Sequence, residues 1–241
     1  MLIYVLVLVV GLAAGTISGV IGTGSSIMLL PVLVFSFGPK QAVPIMGIAA
    51  VMANIAKVLA WWREVDWKAC AAYAATGIPG AALGARTLLV LPAHAVDIAL
   101  GIFFIAMVPV RHWLKRKSFH MRLWHLAIVG GLIGYLTGIV VSTGPLSVPA
   151  FTFYGLTGGA FLATEAASSL AVFVSKVAAF QAFGALPPDV IAKGLIAGAS
   201  LMLGSFLGKA VVVRLTPAFF RLLLDGLMFA SGLTMLIAAT R

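Results

Sequence analysis

The chain has 241 residues, of which 62% are hydrophobic and only 9% charged, with a formal net charge of +10. A soluble globular domain carries about 25% charged residues, so this composition leaves too little polar surface to face water on all sides, and the solvent is lipid. The positive charge is not a nucleic-acid footprint, because the basic residues sit mostly at the ends of apolar runs and form no stripe interleaved with aromatics.

The first predicted helix is Leu2 to Ile21. Met1 to Val10 lacks the basic start of a secretory signal, and apolar sequence continues as far as Phe37, so this run is expected to stay in the mature fold. It ends in Gly19-Val20-Ile21-Gly22-Thr23-Gly24-Ser25-Ser26, where helix breakers and hydroxyl residues are concentrated. The next segment, Ser25 to Phe37, makes only about 20 Å of helix against a hydrocarbon core of about 30 Å. It either continues the first helix after a break or folds back as a re-entrant half-helix. The second option gives an odd number of crossings per half and would invert the two halves in the membrane.

A third helix, Ala42 to Trp62, carries Lys57, with Asn54 three residues earlier on the same face. Ionisable residues inside apolar helices are functional candidates by default, although a lysine can also snorkel its ammonium to the interface. Asp66 precedes the fourth helix, Trp67 to Val90, where it is placed to cap. Arg86, near the end of that helix, suits an orienting role. The single Cys70 has no cysteine partner and no CxxC or Cys/His companion, which argues against redox chemistry and against a zinc site. The fifth helix is Ala93 to Val110. Residues 111 to 122, with Arg111, His112, Lys115, Arg116, Lys117, His120 and Arg122, read as a basic linker on the cytoplasmic side.

The series then repeats as Leu123 to Val141, Leu146 to Tyr154, Ala160 to Phe183, Asp189 to Val213 and Pro217 to Ala239. Gly11, Gly15 and Gly19 recur as Gly130, Gly134 and Gly138, Lys57-Val58 as Lys176-Val177, and Trp61 as Phe180. After a short insertion, Asp66 matches Asp189 and Arg86 matches Lys209. An inverted arrangement would put Lys209 and Arg214 in the cytoplasm, as the positive-inside rule favours. The fold class is therefore all-α: a polytopic integral membrane protein of about eight to ten membrane segments. Its two homologous repeats of four to five helices, 1–110 and 123–241, each contain a broken or re-entrant short helix.

The second break is Gly138-Ile139-Val140-Val141-Ser142-Thr143-Gly144-Pro145. Non-helical backbone inside a bilayer is tolerated only when it is buried in protein or lines a cavity, so two breaks at equivalent depth imply a polar cavity. After each break a new helix starts, with Thr23 or Ser25 as a hydroxyl cap in the first half and Thr143 before Gly144-Pro145 in the second. Free amides and the positive ends of two helix dipoles would face one small anion near the midplane. The candidate binding residues are Gly22, Thr23, Gly24, Ser25, Ser26, Asn54, Lys57, Ser142, Thr143, Gly144, Pro145, Lys176 and Gln181, the last sharing roughly the face of Lys176. Glu165 and Asp225 have no counterpart in the first half and are candidates for carrying a coupling proton, or for pairing with a lysine. The four-residue glycine spacing reads as close helix packing. No HExxH or GxxxxGK[ST] pattern is present, so neither enzyme chemistry nor ATP-driven transport by this chain is supported.

The stretch Gly15 to Pro31, G-T-I-S-G-V-I-G-T-G-S-S-I-M-L-L-P followed by Val-Leu, and its degenerate repeat Gly134 to Pro149 resemble the sulfite exporter TauE/SafE family, also called the toluene sulfonate uptake permeases. The resemblance extends over the size, the duplicated layout and the central basic loop. Ser25 and Ser26 stand where the family motif usually has further glycine, and Pro145 where it often has glycine. The resemblance implies an eight-helix-type bacterial transporter of sulfite, sulfonates, sulfoacetate or related organic anions. The expected function is a secondary transporter or facilitator of a small sulfur anion in the bacterial inner membrane. It would work by alternating access between two repeats, without a cofactor or metal, and its partners would be the anion, the lipid bilayer and a coupling proton or sodium ion. The competing readings are a passive anion channel and a membrane accessory protein that scaffolds a partner complex.

Overall fold

A computed structural model describes residues 2–21, 24–115, 120–140 and 143–210, together with four single positions, 226, 229, 233 and 236. Most of the expected last helix, Pro217 to Ala239, and the candidates Gly22, Thr23, Ser142 and Asp225 lie outside the described residues.

Among the described residues there are nine α-helices and no strand. They are α1 (Leu2–Ile21), α2 (Ser25–Phe37), α3 (Pro39–Trp61), α4 (Trp67–Val90), α5 (Ala93–Lys115), α6 (Leu123–Ile139), α7 (Gly144–Phe153), α8 (Gly158–Ala182) and α9 (Pro188–Ala210), with a single 3-10 turn at Trp62–Glu64. By length and composition, Lys40–Glu64, Gly158–Ala182 and Pro188–Gly208 are long and apolar enough to cross a membrane, and several shorter apolar helices accompany them. Large apolar side chains remain exposed on the outer faces, including Val5 and Val9 of α1, Ile128 and Leu132 of α6, and Leu203 and Leu207 of α9. This is the pattern of a helical membrane protein whose outer surface meets lipid.

Most of the sequence boundaries hold to within a few residues, and the differences have local causes. Helix α3 starts at Pro39 rather than Ala42, because a proline at the first helical position gives up an amide that would be unpaired there anyway. Helix α9 starts at Pro188 for the same reason, so Asp189 lies inside its first turn, where it pairs with Lys193 at 3.0 Å. Helix α5 runs on to Lys115, so the start of the basic stretch is helical rather than linker. Arg111, His112 and Lys115 are ordinary helix-compatible residues, and the helix continues through Pro109 to include them. Asp66 does cap α4, accepting from the amides of Lys68 at 3.0 Å and Ala69 at 3.1 Å.

Helix pairing explains the glycines. Helix α4 packs against α6 and α8, α9 packs against α1 and α3, and α3 packs against α8. A Cβ on Gly19 would lie 2.5 Å from the Ser205 carbonyl oxygen of α9, and one on Gly138 would lie 2.5 Å from the Cα of Gly84 on α4. Gly80 meets the Gly131 carbonyl in the same way, at 2.6 Å. Association between helices in lipid gains little from apolar burial and depends on such close approach, which only small residues permit. The glycine rows therefore belong to helix contacts.

Candidate functional site

Both breaks open onto the same small cavity. Gly24 ends the first break with φ 113°, a left-handed conformation that disfavours any side chain, and its carbonyl accepts the Met28 amide at 3.1 Å to begin α2. Its position at the N-cap corrects the hydroxyl cap expected in the first half: no side chain caps α2, and Ser25 is its first helical residue. At the second break Thr143 occupies the N-cap of α7, and its carbonyl accepts the amides of Leu146 at 2.9 Å and Ser147 at 3.0 Å. The Thr143 hydroxyl is turned away from a capping role and meets the Thr137 hydroxyl at 2.5 Å. Two helix starts without side-chain caps thus border one space.

That space is about 40 Å³ and is lined by Gly24, Ser25 and Ser26 from the first break and Thr143, Gly144 and Ser147 from the second. Helix α3 adds Ala50, Ala53, Asn54 and Lys57, positions that share one helical face. Helix α8 adds Glu165, Ser169 and Phe173, also one face. Lys57 and Glu165 are both buried, and the carboxylate acts electrostatically on the ammonium. One Glu165 oxygen, Oε1, accepts from the hydroxyls of Ser147 and Ser169, each at 3.0 Å. Asn54 donates its amide to the Ala50 carbonyl at 2.9 Å.

The remaining candidates lie elsewhere. Lys176 is fully buried but does not line the cavity. Its ammonium donates to the Thr137 carbonyl at 2.6 Å and sits 5.4 Å from the Phe180 ring centroid. Gln181 is exposed near the end of α8. Pro145 lies in the first turn of α7, just beyond Gly144. Sequence reasoning missed Ser147 and Ser169; the four-residue spacing from Glu165 to Ser169 is the one signal that pointed to a shared face. It also missed the Thr137 to Thr143 contact, which bridges the two sides of the second break. Among the described residues no group of three or more His, Cys, Asp or Glu side chains is arranged to hold a metal ion.

The arrangement offers hydrogen-bond donors from two helix starts, several hydroxyls, one cation and one carboxylate around one small space. Each helix start contributes the equivalent of about half a positive charge. A protein-family model described as "Sulfite exporter TauE/SafE" matches residues 7–235. Two curated relatives from Bacillus subtilis (strain 168) are similar. The "Probable membrane transporter protein YunE" is 25% identical over 137 residues, 52% of this chain and 50% of the relative, so that match spans only half the relative's length. The "Probable membrane transporter protein YjnA" is 24% identical over 262 residues, 95% of this chain and 98% of the relative. No solved structure matches.

Proposed function

The chain belongs to the sulfite exporter TauE/SafE family, and we propose that it is a secondary transporter of a small oxyanion of sulfur, sulfite or a sulfonate, which it binds between the starts of α2 and α7. The observation that carries the reading is that Gly24, Ser25 and Ser26 and, from the other break, Thr143 and Gly144 line one cavity together with Lys57. Backbone amides at helix starts, supported by a nearby ammonium, are a general solution for holding an oxyanion.

Two homologous repeats moving against each other around this cavity would give alternating access. The helix pairing supports the duplication: α4 packs on α6 and α8, while α9 packs on α1 and α3, the positions expected to correspond to α6 and α8. The repeats would be residues 1–110 and 123–241, in a multi-pass protein of the bacterial inner membrane. Among the described residues Glu165 would carry a coupling proton, since it lines the cavity proposed for the anion and its hydroxyl partners can stay in place in either charge state.

Uptake of radiolabelled sulfite into proteoliposomes tests the reading. A transporter gives flux that saturates with sulfite and is accelerated by sulfite on the opposite side. Flux that rises without saturation would replace it with a channel, and no flux with sulfite or any sulfonate would remove it.

A further inference from the structure

We propose that the cavity selects an anion that retains a hydrogen-bond donor of its own, a hydrogen oxyanion such as hydrogen sulfite, and that Asn54 is the residue that reads that hydrogen. The inference rests on the anion site proposed above and specifies the form of anion it takes.

Asn54 is 4% exposed and lines the cavity. Its amide nitrogen donates to the Ala50 carbonyl one turn back at 2.9 Å. This bond fixes the rotation of the side chain, because turning it over would set two oxygens against each other. Oδ1 is then an acceptor, and it is buried with no hydrogen-bond partner among the described residues. A buried acceptor without a donor is costly, and such exceptions call for a missing partner. The cavity that Asn54 lines is where we place the missing donor.

A bare metal cation would satisfy Oδ1, but with Lys57 and Glu165 offsetting each other the two positive helix starts that border the same space still repel it. A fully deprotonated anion satisfies the helix starts and leaves Oδ1 facing another oxygen. An anion with one remaining hydrogen satisfies both. The charges agree with this: Lys57 and Glu165 offset each other, and the two helix starts together present about one positive charge, which matches a monoanion better than a dianion. Size agrees as well, because about 40 Å³ has room for about three water-sized groups, enough for a single-centre oxyanion.

The test is titration of the purified full-length protein at mildly acidic pH with hydrogen sulfite and with methanesulfonate, a monoanion of similar size that has sulfonate oxygens but no acidic hydrogen. The wild-type protein is expected to bind hydrogen sulfite about tenfold or more tightly than methanesulfonate, because a polar site left unpaired by the analogue discriminates strongly. Asn54→Ala should bring the two affinities to within about threefold, chiefly by weakening hydrogen sulfite. Equal wild-type affinities would overturn the inference while leaving the anion site intact, and binding of neither anion would remove both. The wild-type comparison decides the matter even if Asn54→Ala does not fold.

Discussion

The ammonium of Lys176 donates to the main-chain carbonyl of Thr137 at 2.6 Å. Helix α6 ends at Ile139, so the Thr137 carbonyl is one of the last-turn oxygens without a partner inside its own helix. A cation placed there also meets the negative end of the helix dipole. Lys176 thus ties α8 to the end of α6, directly behind the break at which Thr137 and Thr143 share a hydroxyl contact. Lys176→Met is therefore expected to cost about 1–3 kcal/mol of stability. In detergent its melting temperature should fall, while sulfite binding is weakened but retained. A direct anion ligand would behave in the opposite way, losing binding with little change in melting temperature.

The glycine contacts predict position-dependent tolerance. Gly138→Ala pushes a methyl group into the backbone of α4 and should destabilise the protein by about 1–3 kcal/mol, the usual range for overpacking. Gly131→Ala places its Cβ 3.4 Å from the Thr76 side chain, a contact that small movement can absorb. Melting temperatures of the two variants measured side by side should differ by several degrees, with Gly131→Ala the closer to wild type.

Glu165→Gln should separate exchange from coupled transport. The amide keeps an oxygen for Ser147 and Ser169 but can no longer gain and lose a proton. In proteoliposomes, sulfite exchange across the membrane should persist in this variant, while accumulation driven by a pH gradient should disappear. Accumulation at the wild-type level would assign coupling to another group.

Asp66→Ala removes the acceptor for the amides of Lys68 and Ala69 and should cost about 1 kcal/mol, within the range for lost N-caps. The melting temperature should fall modestly, and the affinity for sulfite should be unchanged, since Asp66 does not line the cavity.

Local chemistry made much of this fold legible. Gly24 and Thr143 mark the two breaks because adjacent glycine and hydroxyl residues favour an interruption of an apolar helix, and Asp66 announces the start of α4. Lys57 and Asn54 could be placed together because three residues on a helix return to nearly the same face. The rest depended on contacts between distant segments. Both buried lysines occupy matched positions, yet Lys57 lines the cavity and Lys176 turns to a carbonyl of α6, a difference set by their neighbours rather than by spacing. Ser147 and Glu165 come from separate helices, so their hydrogen bond has no sequence signature. The basic stretch read as linker because its charges were counted, although nothing in Arg111 to Lys115 resists a helix.

The central claim is that the starts of α2 and α7 hold one anion between them, and anomalous diffraction from crystals grown with selenite, the selenium counterpart of sulfite, tests it most directly. The account predicts a single selenium peak in the cavity, bordered by Ser25 and Ser26 on one side and Gly144 on the other, with Asn54 and Lys57 nearby. A peak elsewhere in the molecule, or an empty cavity under conditions where selenite is transported, would contradict it.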